Sequence, residues 1–215
     1  MATTVIGVGS IGKTVAQLLV SGKEPVVLAS RDASQASALA EDLGDGATSA
    51  TSVREAITQA DTVVFAVWFD TMKELIAEHA DLLAGKVVID PSNPISLEGG
   101  KISRILPDGQ SAGEVIASLL PSDAHFAKAF GTLNAGELAG GAHRTPQPAV
   151  LFYATDDDQA AAATERLITA AGFTPVKAGG VTASLRIEVF GDLHTIGGLN
   201  GKLVSEEEAK AAVAA

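Results

Sequence analysis

The chain has 215 residues, with 15 Lys and Arg against 26 Asp and Glu for a net charge of −11, and 47% hydrophobic against 19% charged residues. That balance marks a compact globular protein with no basic stripe for a nucleic-acid backbone, so nucleic acid is not an expected partner. The absence of Cys excludes disulfides, thiolate nucleophiles and Cys-ligated zinc or iron–sulfur clusters.

Thr3 to Val8 is a short apolar, β-branched run, followed by a helical pattern from Ser10 to Ser21 with Ile11, Val15, Leu18 and Leu19 on one face. Val26 to Ala29 predicts a second strand, and Ala33 to Leu43 a second helix closed by Gly44. A weak strand near Ala47, a helix over Val53 to Gln59, a strong strand over Thr62 to Val67, a helix over Thr71 to Leu83 and a strand at Val87 to Ile89 continue the alternation. Apolar strands alternating with helices predict an α/β, Rossmann-like, doubly wound and mostly parallel sheet covered on both faces. The longest apolar run, Val63 to Phe69, falls far short of the ~20 residues that cross a bilayer, so no membrane partner is expected.

Beyond Asp90, prolines and glycines interrupt the pattern, and Asn93 to Gly109 reads as a functional loop. A helix over Ala112 to Leu120, strands at His125 to Ala129 and Ala149 to Tyr153, a helix over Asp157 to Ala171 and a strand near Thr174 complete a domain over 1–180. Residues 181–215 read as an extension: an amphipathic helix from Ala183 with Leu185, Val189, Leu193 and Ile196 as its stripe, then glycines and an acidic tail. The N-terminus has no basic residue before Lys13, so no signal peptide is expected and the cytoplasm is the expected location.

Gly7-Val8-Gly9-Ser10-Ile11-Gly12 fits G-x-G-x-x-G and stands between the first strand and first helix, where a dinucleotide's pyrophosphate meets free amides and the helix dipole. A carboxylate at the end of the second strand suits the ribose of NAD, whereas Ser30-Arg31 offers a hydroxyl and a guanidinium fork to the 2′-phosphate of NADP. Asp32, displaced by a residue or two, is the competing ribose ligand.

Together with this turn and Ser30-Arg31, Asp90-Pro91-Ser92-Asn93-Pro94 and Lys128-Ala129-Phe130-Gly131-Thr132 make the chain resemble the deazaflavin-dependent NADP oxidoreductases. Members of that family move a hydride between NADP(H) and coenzyme F-420, and the cytosolic domains of six-transmembrane metalloreductases, which look similar, use NADPH to reduce a flavin. The resemblance implies a pyrophosphate site at Gly9, Ser10 and Ile11, a 2′-phosphate site at Ser30 and Arg31, and a nicotinamide site near Ala66, Val67 and Trp68. Ser34 and Gln35 take the place of a basic residue of the family, and Gly131 that of an Asn or His. On the last helix the family's Ser-Arg-x-x-Glu-Ser gives way to Ser184-Leu185-Arg186-Ile187-Glu188-Val189.

The expected cofactor site is therefore Gly7, Gly9, Ser10, Ile11, Gly12, Ser30, Arg31, Ser34, Ala66, Val67, Trp68 and Asn93, binding NADP(H). Phe69, Gly131, Thr132, Arg186 and His194 are the expected contacts of a small-molecule redox acceptor, with coenzyme F-420 or a flavin as second substrate. Arg186, Phe190 and His194 share one side of the predicted last helix. Hydride transfer between flat rings needs close contact and exclusion of water more than a proton carrier, so no catalytic residue and no metal are assigned. The readings left open are an NADPH-dependent flavin or quinone reductase, a carbonyl or imine reductase using His194 or Tyr153, and a sensor that binds NADP(H) without turnover. Because the tail is shorter than the helical domain of hydroxyacid dehydrogenases, the acceptor pocket is expected from this domain itself or from a second subunit in a homodimer.

Overall fold

A computed structural model describes residues 2–215. In chain order the first half contains β1 (Thr3–Ile6), α1 (Ser10–Ser21), β2 (Val26–Ala29), α2 (Ala33–Leu43), β3 (Ala47–Ser49), α3 (Val53–Gln59), β4 (Thr62–Phe65), α4 (Phe69–Leu83) and β5 (Val87–Asp90). The second half contains β6 (Ile95–Glu98), β7 (Lys101–Arg104), α5 (Ala112–Leu119), β8 (His125–Ala129), α6 (Ala135–Gly141), β9 (Val150–Ala154), α7 (Asp158–Ala170), β10 (Thr174–Gly179), α8 (Ser184–Ile187) and α9 (Glu206–Ala214).

Eight strands form one sheet in the order β10-β9-β8-β5-β4-β1-β2-β3, parallel throughout except where β9 meets β8. The expected Rossmann-like, mostly parallel sheet is the one found. Successive residues of a strand face opposite sides, and the core divides accordingly. Val5 and Val64 pack with α1, α2 and α7 on one face, whereas Ile6, Val63 and Phe65 pack with α3, α4 and α5 on the other. Chain order runs outward from β1 through β2 to β3, then returns to β4 on the other side of β1, with Ile6 opposite both Ala29 and Phe65. This reversal opens a crevice at the carboxyl ends of β1 and β4, where doubly wound sheets bind ligands.

Three expectations fail beyond β5. The stretch from Asn93 to Gly109 contains an antiparallel hairpin, β6–β7, turning at Gly99-Gly100 with φ of 56° and 78°. Its short, half-exposed strands carry too few apolar residues to register as periodicity. The unpredicted α6 is short and glycine-rich, yet Asn134 and Glu137 close a capping box at its start. The long C-terminal helix is absent: α8 stops at Ile187, and the chain turns irregularly until Ser205 caps α9. In the turn that follows α8, a Cβ at Gly191 would lie 2.2 Å from the Arg186 carbonyl oxygen, so the chain folds back this tightly only with glycine there. Ile187, Leu193, Val204 and Ala209 instead pack separately against β9 and β10, so residues 181–215 are built onto the outer strands of the sheet. No helix among the described residues is long and apolar enough to cross a membrane.

Candidate dinucleotide site at the β1–β4 crevice

The turn after β1 requires its first and third glycines for different reasons. Gly7 has φ 97°, and a Cβ there would meet the Ala66 carbonyl oxygen at 2.4 Å; its amide donates to Ala29 at 2.8 Å, tying the turn to the end of β2. At Gly12 a Cβ would stand 1.9 Å from the Gly7 carbonyl oxygen, so only glycine lets α1 pack this close to β1. Gly9 differs: with φ −71° and ψ −170° its backbone suits any residue, and nothing lies within 4 Å of where its Cβ would be. Its bare face opens outward, the shape a pyrophosphate needs to approach the backbone.

The amides of Ser10, Ile11 and Gly12 have no protein acceptor among the described residues, and no side chain caps α1. By contrast, α2, α3, α5, α6, α7 and α9 are capped by Asp32, Ser52, Ser111, Asn134, Asp157 and Ser205. Besides α1, α4 also starts without a side-chain cap, at Trp68. Of the helices that start without a side-chain cap, the short α8 lies in the C-terminal segment, whereas α1 and α4 follow the two strands that flank the crevice, β1 and β4. Their free amides and positive dipole ends suit an anion there.

At the end of β2, Asp32 accepts from the Ser34 amide at 3.0 Å and the Ser34 hydroxyl at 2.7 Å, and Gln35 adds a third bond at 3.3 Å. The Ser34 hydroxyl beside it holds the Asp32 carboxyl below the usual carboxylate range. Asp32 is thus committed to capping α2, and Ser34, expected as a cofactor contact, is engaged by Asp32 instead. The Ser30 hydroxyl bonds the Asp32 carbonyl, while the exposed Arg31 makes no ion pair or hydrogen bond among the described residues. One unpaired guanidinium therefore stands where a 2′-phosphate is expected.

Ala66, Val67 and Trp68 follow β4, and Trp68 is 57% exposed. Phe69 is not at the surface of the crevice: as the first residue of α4 it is buried among Met72 and Ile76, and Lys73 lies over its ring. Asn93 follows β5, and both ends of its amide bind protein: Nδ2 donates to the Gly131 carbonyl at 2.9 Å, and Oδ1 accepts from the Val189 amide at 2.7 Å. It joins three segments around the crevice rather than offering a free group to a cofactor. Gly131 lies under Pro91, whose carbonyl oxygen would be 2.8 Å from an added Cβ, which accounts for glycine where the family has a larger residue. Thr132 is buried, and its carbonyl accepts from the Thr195 amide and hydroxyl.

The expected acceptor contacts on the tail are displaced with the helix. Arg186 pairs with Asp192 at 2.7 Å and donates to the Ala212 and Val213 carbonyls at the end of α9, holding the tail in place. His194 is buried; its Nε2 donates to the Gly131 carbonyl at 2.9 Å, and its Nδ1 accepts from the Ile196 amide at 2.8 Å. Only the neutral ring makes both bonds, and burial lowers its pKa to about 4. Tyr153 is likewise buried, its hydroxyl on Glu165.

Sequence reasoning missed a buried charge cluster behind the crevice. Lys128, on β8, donates to Asp90 at 2.7 Å and to the Ser92 carbonyl, and its ammonium lies 3.9 Å from Glu188. Glu188 accepts from the Gly113 amide at 3.0 Å and lies 3.7 Å from Arg104, and burial pushes its carboxyl up. A charged residue at or next to the end of each of two adjacent strands, Asp90 and Lys128, was the available signal. Among the described residues, no group of His, Asp and Glu could hold a metal. A shallow depression of about 470 Å³ lies apart from all this, lined by His143, Arg144, Thr169 and Phe173, and shares no residue with the glycine turn.

Against this geometry, residues 3–94 match the family of coenzyme F420-dependent NADP oxidoreductases, as the resemblance implied. The chain is 29% identical over 184 residues to the metalloreductase STEAP3 of Rattus norvegicus, covering 86% of this chain and 35% of the other, so it spans about a third of that curated relative. The solved structure of protein SMa0349 from Sinorhizobium meliloti superposes with a TM-score of 0.80 at 28% identity, over 90% of this chain and 93% of that one. A candidate F420-dependent NADP-reductase from Arthrobacter sp. FB24 superposes at 0.72 with 24% identity, over 86% and 87%. A reductive aminase from Aspergillus terreus, solved with NADPH, shares the fold at 0.62 and 21% identity, over 86% of this chain and 57% of its own. The family match over residues 3–94 supports an NADP-dependent oxidoreductase, and the solved structures support the fold.

Proposed function

We propose, from the premise that residues 3–94 carry the domain of the F420-dependent NADP oxidoreductase family, that this chain passes hydride between NADP(H) and a flat redox acceptor. Deazaflavin is the first candidate, and a flavin or quinone the next. The observation that carries the reading is the open face of Gly9 beside the acceptor-free amides of Ser10 to Gly12.

The residues present fit NADP(H). The mouth of α1 takes the pyrophosphate, the unpaired Arg31 takes the 2′-phosphate next to Ser30, whose hydroxyl stays on the Asp32 carbonyl, and Ala66 to Trp68 border the nicotinamide end. When bound, NADPH supplies a hydride, so reduction of the acceptor takes that hydride and one proton from water and leaves NADP⁺. The protein's share is positioning: Asn93 and His194 hold the Gly131 turn against the loop after β5. A carbonyl or imine reductase needs a general acid at the substrate, and the two candidates for that role, His194 and Tyr153, are buried and hydrogen-bonded.

The test is consumption of NADPH against a panel of deazaflavin, flavins and quinones. Turnover with at least one of them is expected. Silence across the panel, with NADPH still bound, would make the protein a nucleotide sensor.

A further inference from the structure

We propose that Asn93 is the positioning residue for the acceptor: its side-chain amide clamps two left-handed turns, Phe130–Gly131 and Val189–Phe190, into one wall beyond β5 and β8 that seats the ring opposite the nicotinamide. The inference rests on the oxidoreductase reading above and assigns it a residue.

The order of strands places this wall. Ile6 lies opposite Phe65, Val64 opposite Ile89 and Asp90 opposite Lys128, so β1, β4, β5 and β8 end level with one another. With the adenosine end at β2, the pyrophosphate at β1 and the nicotinamide beyond β4, the next positions along that edge are the ends of β5 and β8. Asn93 follows β5, and Gly131 follows β8.

The backbone that carries Asn93 is fixed from the buried side, where the Ser92 amide donates to Asp90 at 2.7 Å and the Ser92 carbonyl accepts from Lys128. The side-chain amide then works in both directions. Nδ2 donates to the Gly131 carbonyl at 2.9 Å, and Oδ1 accepts from the Val189 amide at 2.7 Å, so segments 38 and 96 residues away in sequence meet on one group. Each target adjoins a residue whose backbone L side chains rarely adopt, Phe130 with φ 64° and Phe190 with φ 74°. Such strain persists only where the surroundings over-determine it, and it gathers at ligand clamps. His194 also donates to the Gly131 carbonyl, but among the described residues Asn93 alone bonds both turns. A carboxylate in its place would still accept from Val189, yet it has no hydrogen for Gly131.

The test measures acceptor kinetics and NADPH affinity separately on the full chain, between about pH 5.5 and 8, with flavin mononucleotide, coenzyme F420 and menadione as acceptors. At the upper end Asn93→Asp should lower acceptor kcat/KM about a hundredfold, with NADPH affinity within about twofold of the parent. On acidification the introduced carboxyl gains a proton to donate to Gly131, and the ratio of variant to parent should recover about tenfold or more. Asn93→Ala has nothing to protonate, so its ratio should stay low throughout. The charged groups around Asn93, namely Asp90, Arg104, Lys128, Glu188 and His194, are common to all three proteins and cancel in the ratio. Parent-like acceptor kinetics in either variant, an equal loss of NADPH affinity, or a flat ratio in Asn93→Asp overturns the inference and leaves the oxidoreductase reading standing. Should Asn93→Asp fail to fold, the presence or absence of a selective loss of acceptor kcat/KM in Asn93→Ala decides the matter. Reduction of no acceptor by the parent, with NADPH bound, overturns both.

Discussion

The Cβ that Gly12 lacks would lie 1.9 Å from the carbonyl oxygen of Gly7, so two glycines five residues apart hold α1 against the end of β1 and leave the third, Gly9, facing outward. This separates glycines that build the turn from the one that serves a ligand. Gly12→Ala must displace the helix and should lower stability by several kcal/mol. Gly9→Ala meets open space and an extended backbone, so its unfolding free energy should stay within about 1 kcal/mol of the parent while NADPH affinity falls tenfold or more. Urea unfolding alongside calorimetric titration checks both, and unchanged NADPH affinity in Gly9→Ala would remove the pyrophosphate from this turn.

Lys128 and Asp90 form a buried ion pair from adjacent strands. Lys128→Met leaves the carboxylates of Asp90 and Glu188 buried without their ammonium, which should cost about 3–5 kcal/mol of stability. The double replacement Asp90→Asn, Lys128→Met should cost less than the sum of the single changes, because neither partner is then left charged and alone. Denaturant unfolding of the cycle gives the coupling directly, and strictly additive losses would mean that the pair does not act as one unit.

His194 makes stability depend on pH in a defined direction. Its folded pKa of about 4 lies below the ordinary histidine value of 6.5, so between these values the unfolded chain binds a proton that the folded protein refuses. The stabilising contribution is complete above 6.5 and is lost as pH falls toward 4, on the order of 3 kcal/mol across the window. Comparing unfolding free energies of the parent and His194→Gln over this range should show a shallower slope in the variant. Parallel slopes would mean that the ring is not buried neutral.

The Rossmann-like core was legible because its strands are apolar and its helices periodic, and G-x-G-x-x-G falls between the right two elements. Interactions between distant residues were not. Asp90 and Lys128 are 38 residues apart, and Glu188 joins them from a segment whose i, i+4 spacing suggested a helix but which turns extended at Glu188 itself. Asn93 and His194 looked available for chemistry because sequence does not show that the Gly131 carbonyl takes a hydrogen bond from each. Ser34 was misread for a local reason, since Asp32 two residues earlier captures both its amide and its hydroxyl.

Trp68, the single tryptophan, stands immediately before α4 at the crevice and is more than half exposed, so its emission reports on the expected nicotinamide end. Titration with NADPH should quench it at a concentration at least about tenfold lower than NADH requires, and Arg31→Ala should erase most of that difference. An emission unmoved by either dinucleotide, or equal responses to both that Arg31→Ala leaves unchanged, would contradict a site with the pyrophosphate at α1 and the 2′-phosphate on Arg31.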